Sequence, residues 1–74
     1  MQTKEVKTRL RELRNRSRLS LEEVSVLTGY DVSTISKHES GSRNLTADAI
    51  SRYAKLYKVE THELFDLEQL IEKE

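Results

Sequence analysis

A chain of 74 residues with no cysteine, no proline and two glycines forms one domain, small enough that its core must be buried efficiently and a large enzyme cleft is not expected. The missing cysteines exclude a disulfide framework and a thiolate metal site, and His38 and His62 are too few and too far apart to frame a metal centre. Thirteen basic and thirteen acidic residues cancel to zero net charge, so only the distribution of charge can point to a partner.

Basic charge gathers at the start. Residues 1–18 hold seven Lys and Arg against Glu5 and Glu12. Val6, Leu10 and Leu13 fall at i, i+4, i+7 spacing, which predicts a helix over about residues 3–15 with one buried stripe and otherwise basic faces. Its stop is marked only by Asn15 or Ser17 near Arg18. Ser20-Leu21-Glu22-Glu23 is a capping box, in which the Ser20 hydroxyl accepts from the Glu23 N–H and the Glu23 carboxylate accepts from the Ser20 N–H. A second helix therefore starts at Leu21, with Leu19 packing on Val24 as a staple, and ends two turns later at Gly29, the natural left-handed residue.

Asp31 is placed to cap a third helix by accepting from the N–H of Ser33 or Thr34, and that helix runs from Val32 to His38 or Glu39. Ile35 is its clear inward anchor, flanked by polar Ser33, Thr34, Ser36 and Lys37. So short a helix has almost no stability of its own, and its polar face needs another explanation. After the turn-rich loop Ser40-Gly41-Ser42-Arg43-Asn44, Thr46 caps a fourth helix whose inward residues are read as Ala47, Ile50, Tyr53, Ala54 and Tyr57. Glu60 or Thr61 opens a fifth helix, with apolar Leu64, Phe65, Leu67, Leu70 and Ile71. Its tail is acidic, since residues 60–74 hold six carboxylates against Lys73. The sequence is thus read as an all-α, compact five-helix domain over residues 1–65, with a C-terminal helix extension over residues 66–74.

Leu10-Arg11-Glu12-Leu13-Arg14, Leu19 to Ser25, Gly29, Ser33-Thr34-Ile35-Ser36-Lys37, Glu39, Gly41, Arg43-Asn44, Ala54-Lys55, Val59 and Leu64-Phe65 recur at one family's spacing. With them the chain resembles the Cro and phage-repressor type of helix-turn-helix DNA-binding domains over about residues 6–65, helices two and three forming the motif. The resemblance implies that Val32, Ser33, Ser36 and Lys37 meet base edges. It also implies that backbone N–H groups at Ser20 and Leu21 and the loop residues Ser40, Ser42, Arg43 and Asn44 meet phosphates. Arg14 and Glu39 match positions that form a structural ion pair in the family.

The chain departs from the family's pattern at several positions. Leu21 stands where Gln is common and Thr28 where the side chain packs inward. Val26 and Leu27 stand where polar residues are common, and His38 where a larger apolar side chain is frequent; His38 is read as a partly buried, hydrogen-bonded residue. Arg18 and Lys58 occupy helix ends where glycine is frequent, with a small backbone strain expected at each.

Leu64, Leu67, Leu70 and Ile71 present more apolar surface than the end of a small domain needs, so a two-fold homodimer seam is expected, the other reading being a tail folded onto its own core. The leading function is a transcriptional regulator, a repressor or small controller protein, that binds double-stranded DNA at a palindromic operator. The alternative is a protein-interaction module or antitoxin that keeps the fold and uses Leu21, Val26 and Leu27 toward a protein partner. No nucleophile and base at recognisable spacing and no glycine-rich phosphate loop occur, so neither an enzyme nor a cofactor is expected. No long apolar run or signal pattern occurs, so the expected setting is the cytoplasm, with no membrane partner.

Overall fold

A computed structural model describes residues 8–66. Among them lie four α-helices, α1 Leu10–Arg16, α2 Leu21–Thr28, α3 Val32–Ser40 and α4 Ala47–Tyr57, followed by a single 3-10 turn at Thr61–Leu64. The core gathers Leu10 and Leu13 from α1, Val24 from α2, Ile35 from α3, Ala49, Tyr53, Ala54 and Tyr57 from α4, and Leu64 from the 3-10 turn. Leu19, Leu21, Tyr30, Ile50, Leu56, Val59 and Phe65 pack around it.

Within the described residues α1 is shorter than the periodicity predicts and the expected fifth helix is not continuous, and one contact joins the two segments. Thr8 and Phe65 pair as an isolated antiparallel bridge, and the Arg9 N–H donates to the Leu64 carbonyl at 2.8 Å. Arg9, at φ −106° and ψ 18°, lies outside the helical region as the N-cap, so α1 begins at Leu10 rather than near residue 3. Phe65 is extended, at φ −120° and ψ 153°, so the helix expected from residue 60 or 61 is not continuous through it and shows one 3-10 turn within the described residues. The five-helix count is therefore corrected to four helices and a 3-10 turn within the described residues. Val6, expected on the α1 stripe, lies outside them.

Leu64 is also corrected. It is fully buried in the domain's own core, so its side chain is not presented to a partner copy. Leu67, Leu70 and Ile71, the rest of the expected seam, lie outside the described residues. On α4 the inward series runs through Ala49, Tyr53, Ala54 and Tyr57, while Ala47, at the first position after the Thr46 cap, is exposed. Thr46 itself accepts from the Ala49 N–H at 3.1 Å, as its position predicts.

Two helix ends are closed by non-glycine residues in the left-handed region, Arg18 at φ 60° and Lys58 at φ 58°. Past each, the chain folds back. Leu19 N–H donates to the Arg14 carbonyl at 3.2 Å and Val59 N–H to the Ala54 carbonyl at 3.1 Å, the long bond of a Schellman closure. An L-residue is strained there by about 1–2 kcal/mol, partly offset by glycine's greater freedom in the unfolded chain. Arg18→Gly and Lys58→Gly are each expected to stabilise the domain by about 0.5–1 kcal/mol, read as a rise of a few degrees in Tm by calorimetry. A lower Tm in both variants would contradict the strain.

Candidate nucleic-acid interface

The two helices of the motif are fixed at their ends before they meet anything else. Ser20 and Glu23 form the complete capping box: the Glu23 N–H donates to Ser20 Oγ at 3.0 Å and the Ser20 N–H to Glu23 Oε1 at 2.8 Å. Gly29, at φ 88°, ends α2 and returns its N–H to the Ser25 carbonyl. Thr28 is buried, its hydroxyl donating to the Val24 carbonyl at 2.8 Å and accepting from the Tyr30 N–H at 3.2 Å, which is how a polar side chain fills an inward position.

Tyr30 is the hinge of the turn and is held from every side. Its carbonyl accepts from Ser25 Oγ at 2.6 Å and its hydroxyl donates to Asp48 Oδ2 at 2.7 Å. Arg52 donates to that carboxylate at 2.7 Å and to the Thr28 carbonyl at 2.6 Å, with its guanidinium 5.5 Å from the centre of the Tyr30 ring. The Tyr30 ring meets His38 edge-on at 5.6 Å, and His38 meets Tyr53 edge-on at 5.6 Å with Nδ1 2.8 Å from the Tyr53 hydroxyl. The Asp48–Arg52 pair is visible in sequence as an i, i+4 spacing, but its link to Tyr30, eighteen residues away in the chain, is not.

Asp31 precedes α3 in extended conformation, yet its carboxylate does not accept from the helix backbone as expected. It takes the Thr34 hydroxyl at 2.6 Å, and that bond holds its pKa below the usual carboxylate value. Ile35 and His38 point inward, fully and almost fully buried. Of the residues expected to meet bases, Ser33, Ser36 and Lys37 are exposed on the opposite side, and Val32 is half-buried at the start of the helix. The structure thus groups three hydroxyl or ammonium side chains on one accessible face.

The expected phosphate contacts divide. At the start of α2 the Ser20 N–H donates within the capping box and Ser20 Oγ accepts there, which leaves the Ser20 O–H and the Leu21 and Glu22 N–H groups as donors. The Leu21 side chain packs on the core. At the other end of the motif, Gly41 closes α3 at φ 86° and the Arg43 N–H turns back to the Lys37 carbonyl at 3.3 Å. Ser40 Oγ donates to the Lys37 carbonyl at 3.2 Å and lies 3.0 Å from Ser42 Oγ. Arg43 and Asn44 are exposed beside them, and the Arg43 charge helps to lower the pKa values of Asp31 and His38.

The ion pair implied by the resemblance is present as a two-point contact, Arg14 Nε to Glu39 Oε2 at 2.6 Å and Nη2 to Oε1 at 3.1 Å. Arg14 also donates to the Leu19 carbonyl at 3.1 Å, so one guanidinium joins α1, the entry to α2 and the end of α3. The Glu39 side chain is 3 % exposed. Burial, then the Glu39 charge, pushes the nearby Tyr57 hydroxyl up to about 12 and keeps it protonated.

A different surface stands apart from this face. Val26 is 84 % and Leu27 59 % exposed, and with Leu19, Glu22 and Glu23 they line a shallow cavity of about 370 Å3 on the outside of α2. No group of acidic or histidine side chains that could hold a metal ion occurs among the described residues, and none of their helices is long and apolar enough to cross a membrane.

With this geometry in place, residues 8–67 match a family described as a helix-turn-helix domain. Among solved structures, the restriction-modification controller protein C.AhdI from Aeromonas hydrophila is 40% identical over 77% of this chain and 86% of its own, with a TM-score of 0.71. The S. venezulae BldD DNA-binding domain is 27% identical over 78% of this chain and 87% of its own, with a TM-score of 0.67. No curated protein matches the chain.

Replacing Arg14 with alanine leaves the Glu39 carboxylate buried beside no bidentate partner, and loss of about 3–5 kcal/mol is expected for such a site. A drop in Tm well beyond that of the exposed Arg16→Ala checks it. His38 gives a separate signature. Burial, then the Arg43 charge, holds its pKa below the ordinary 6.5, so the folded state keeps it neutral. Its contribution is complete above pH 6.5 and is lost as pH falls below that value, because only the unfolded chain takes up the proton readily. Urea unfolding of wild type should weaken as pH falls below 6.5 by more than that of His38→Gln.

Proposed function

The chain belongs to the helix-turn-helix domain family, and from that premise we propose that it is a sequence-specific transcriptional regulator of the repressor or small controller type. The observation that carries the proposal is the outer face of α3. Ser33, Ser36 and Lys37 stand exposed on a helix whose inner face, through Ile35 and His38, is locked into the core. A helix presented in this way fits the major groove, with Lys37 donating to guanine O6 and N7 and the serine hydroxyls adaptable to several bases. Val32 at the helix start suits a thymine methyl. Arg43 and Asn44, with the Leu21 and Glu22 N–H groups, supply phosphate contacts at the two ends of the motif.

None of the base-facing side chains offers the planar two-point contact of Arg, Asn or Gln, so one copy reads few bases firmly. Pairing two copies on a palindromic operator in the cytoplasm supplies the missing specificity. The tail residues Leu67, Leu70 and Ile71 are the proposed seam, and the recognition helices would then lie about 34 Å apart. The similarity to a restriction-modification controller protein supports the small-controller form of this reading.

A second reading is favoured by one feature alone, the exposure of Val26 and Leu27, which fits a contact with another protein. Selection of bound duplexes from a random pool separates the two. The regulator reading expects enrichment of a two-fold symmetric site whose binding weakens steeply with salt and drops at least tenfold in Lys37→Ala or Arg43→Ala. Failure to enrich any sequence at low salt would favour the protein-contact reading. For the seam, sedimentation should show Leu67→Glu and Ile71→Glu as monomers where wild type is a dimer.

A further inference from the structure

The outward stripe of α3 continues past Lys37. Ser33, Ser36, Lys37 and Ser40 follow i, i+3, i+4, i+7 spacing, so Ser40 lies on the same face one turn further along. Beside Ser40 the surface opens into a cavity of about 400 Å3 lined by Thr8, Arg11, Glu39 and Ser40.

The charges around that cavity do not balance. Glu39 is already satisfied by both prongs of Arg14. Arg11 approaches the same carboxylate only to 3.5 Å and is 64% exposed, an ion pair of the kind that contributes little in water. Two guanidinium groups thus face one carboxylate, and the exposed one carries the surplus positive charge. The negative end of α3 would oppose an anion here, but Thr8 Oγ1 lies 3.3 Å from both the His38 and the Glu39 carbonyl and donates toward them.

We propose that this cavity seats a phosphate of the DNA backbone at the rim of the groove that α3 enters, with Arg11 turning from Glu39 to contact it. The inference rests on the DNA-binding reading above and adds a site on α1 to it. Arg11 is a binding residue whose release from Glu39 leaves the Arg14 fork intact, so DNA contact and fold stability are separable at this position.

The test is the dependence of log K on log salt, measured by fluorescence anisotropy with a duplex carrying the selected site and with one of unselected sequence. Arg11→Ala and Arg11→Gln are expected to reduce the slope on both duplexes by about 0.9, the value for one phosphate contact, while Arg11→Lys retains it. Arg16→Ala is the control, because Arg16 is equally exposed on the same helix but pairs with Glu12 and does not line the cavity; its slope should match wild type. A wild-type slope kept by both Arg11→Ala and Arg11→Gln, or an equal decrease in Arg16→Ala, overturns the site while leaving the DNA reading intact. Wild-type protein that binds neither duplex overturns both.

Discussion

A carboxylate with 3 % of its side chain exposed cannot stand alone in so small a domain, and Glu39 is where that constraint acts. Its demand for a fixed, two-point partner sets where Arg14 must be, and Arg14 in turn holds the Leu19 carbonyl at the approach to α2. The ends of three helices are thereby placed relative to one buried charge. Removing both partners and filling the space with apolar side chains could leave a fold as stable, so what the pair contributes is orientation more than net free energy.

The second fixed point is aromatic. Tyr30 is anchored by its backbone to α2, by its hydroxyl to α4 and by its ring to His38 on α3. A turn of three residues would ordinarily let two short helices change their mutual angle. Here the angle is set by side chains from outside the motif, with Asp48 and Arg52 on α4 closing the arrangement. In the proposed base-reading role such rigidity matters, because hydrogen bonds to base edges discriminate only when their donors are already aimed.

Much of this was legible in the sequence where the signal is local. The Ser20–Glu23 box, the left-handed Gly29, the Thr46 cap, the inward Ile35 and the strained Arg18 and Lys58 are each decided within a few residues, and each is found where the spacing puts it. The misreadings come from contacts distant in the chain. The Thr8–Phe65 bridge ties the chain before α1 to the residue after the 3-10 turn, and nothing in either segment's periodicity marks it. Leu64 reads as surplus apolar surface in a helix, but in the 3-10 turn that the bridge imposes it becomes core. Asp31 has the composition of a backbone cap, yet the side-chain bond its carboxylate makes is to the neighbouring Thr34 hydroxyl. The Tyr30–Asp48–Arg52 cluster was missed for the same reason, since only one of its two links is local.

The distribution of charge over the motif gives the interface a direction. Its leading end, at α2, carries Glu22 and Glu23 in the first turn, where they stabilise the helix but present negative charge toward any phosphate that approaches the free N–H groups. Its trailing end, after α3, carries Arg43 with exposed hydroxyls and no carboxylate in the loop over residues 40–44. Attraction to a polyanion is therefore weighted toward the trailing end, and the zero net charge of the chain conceals that polarity.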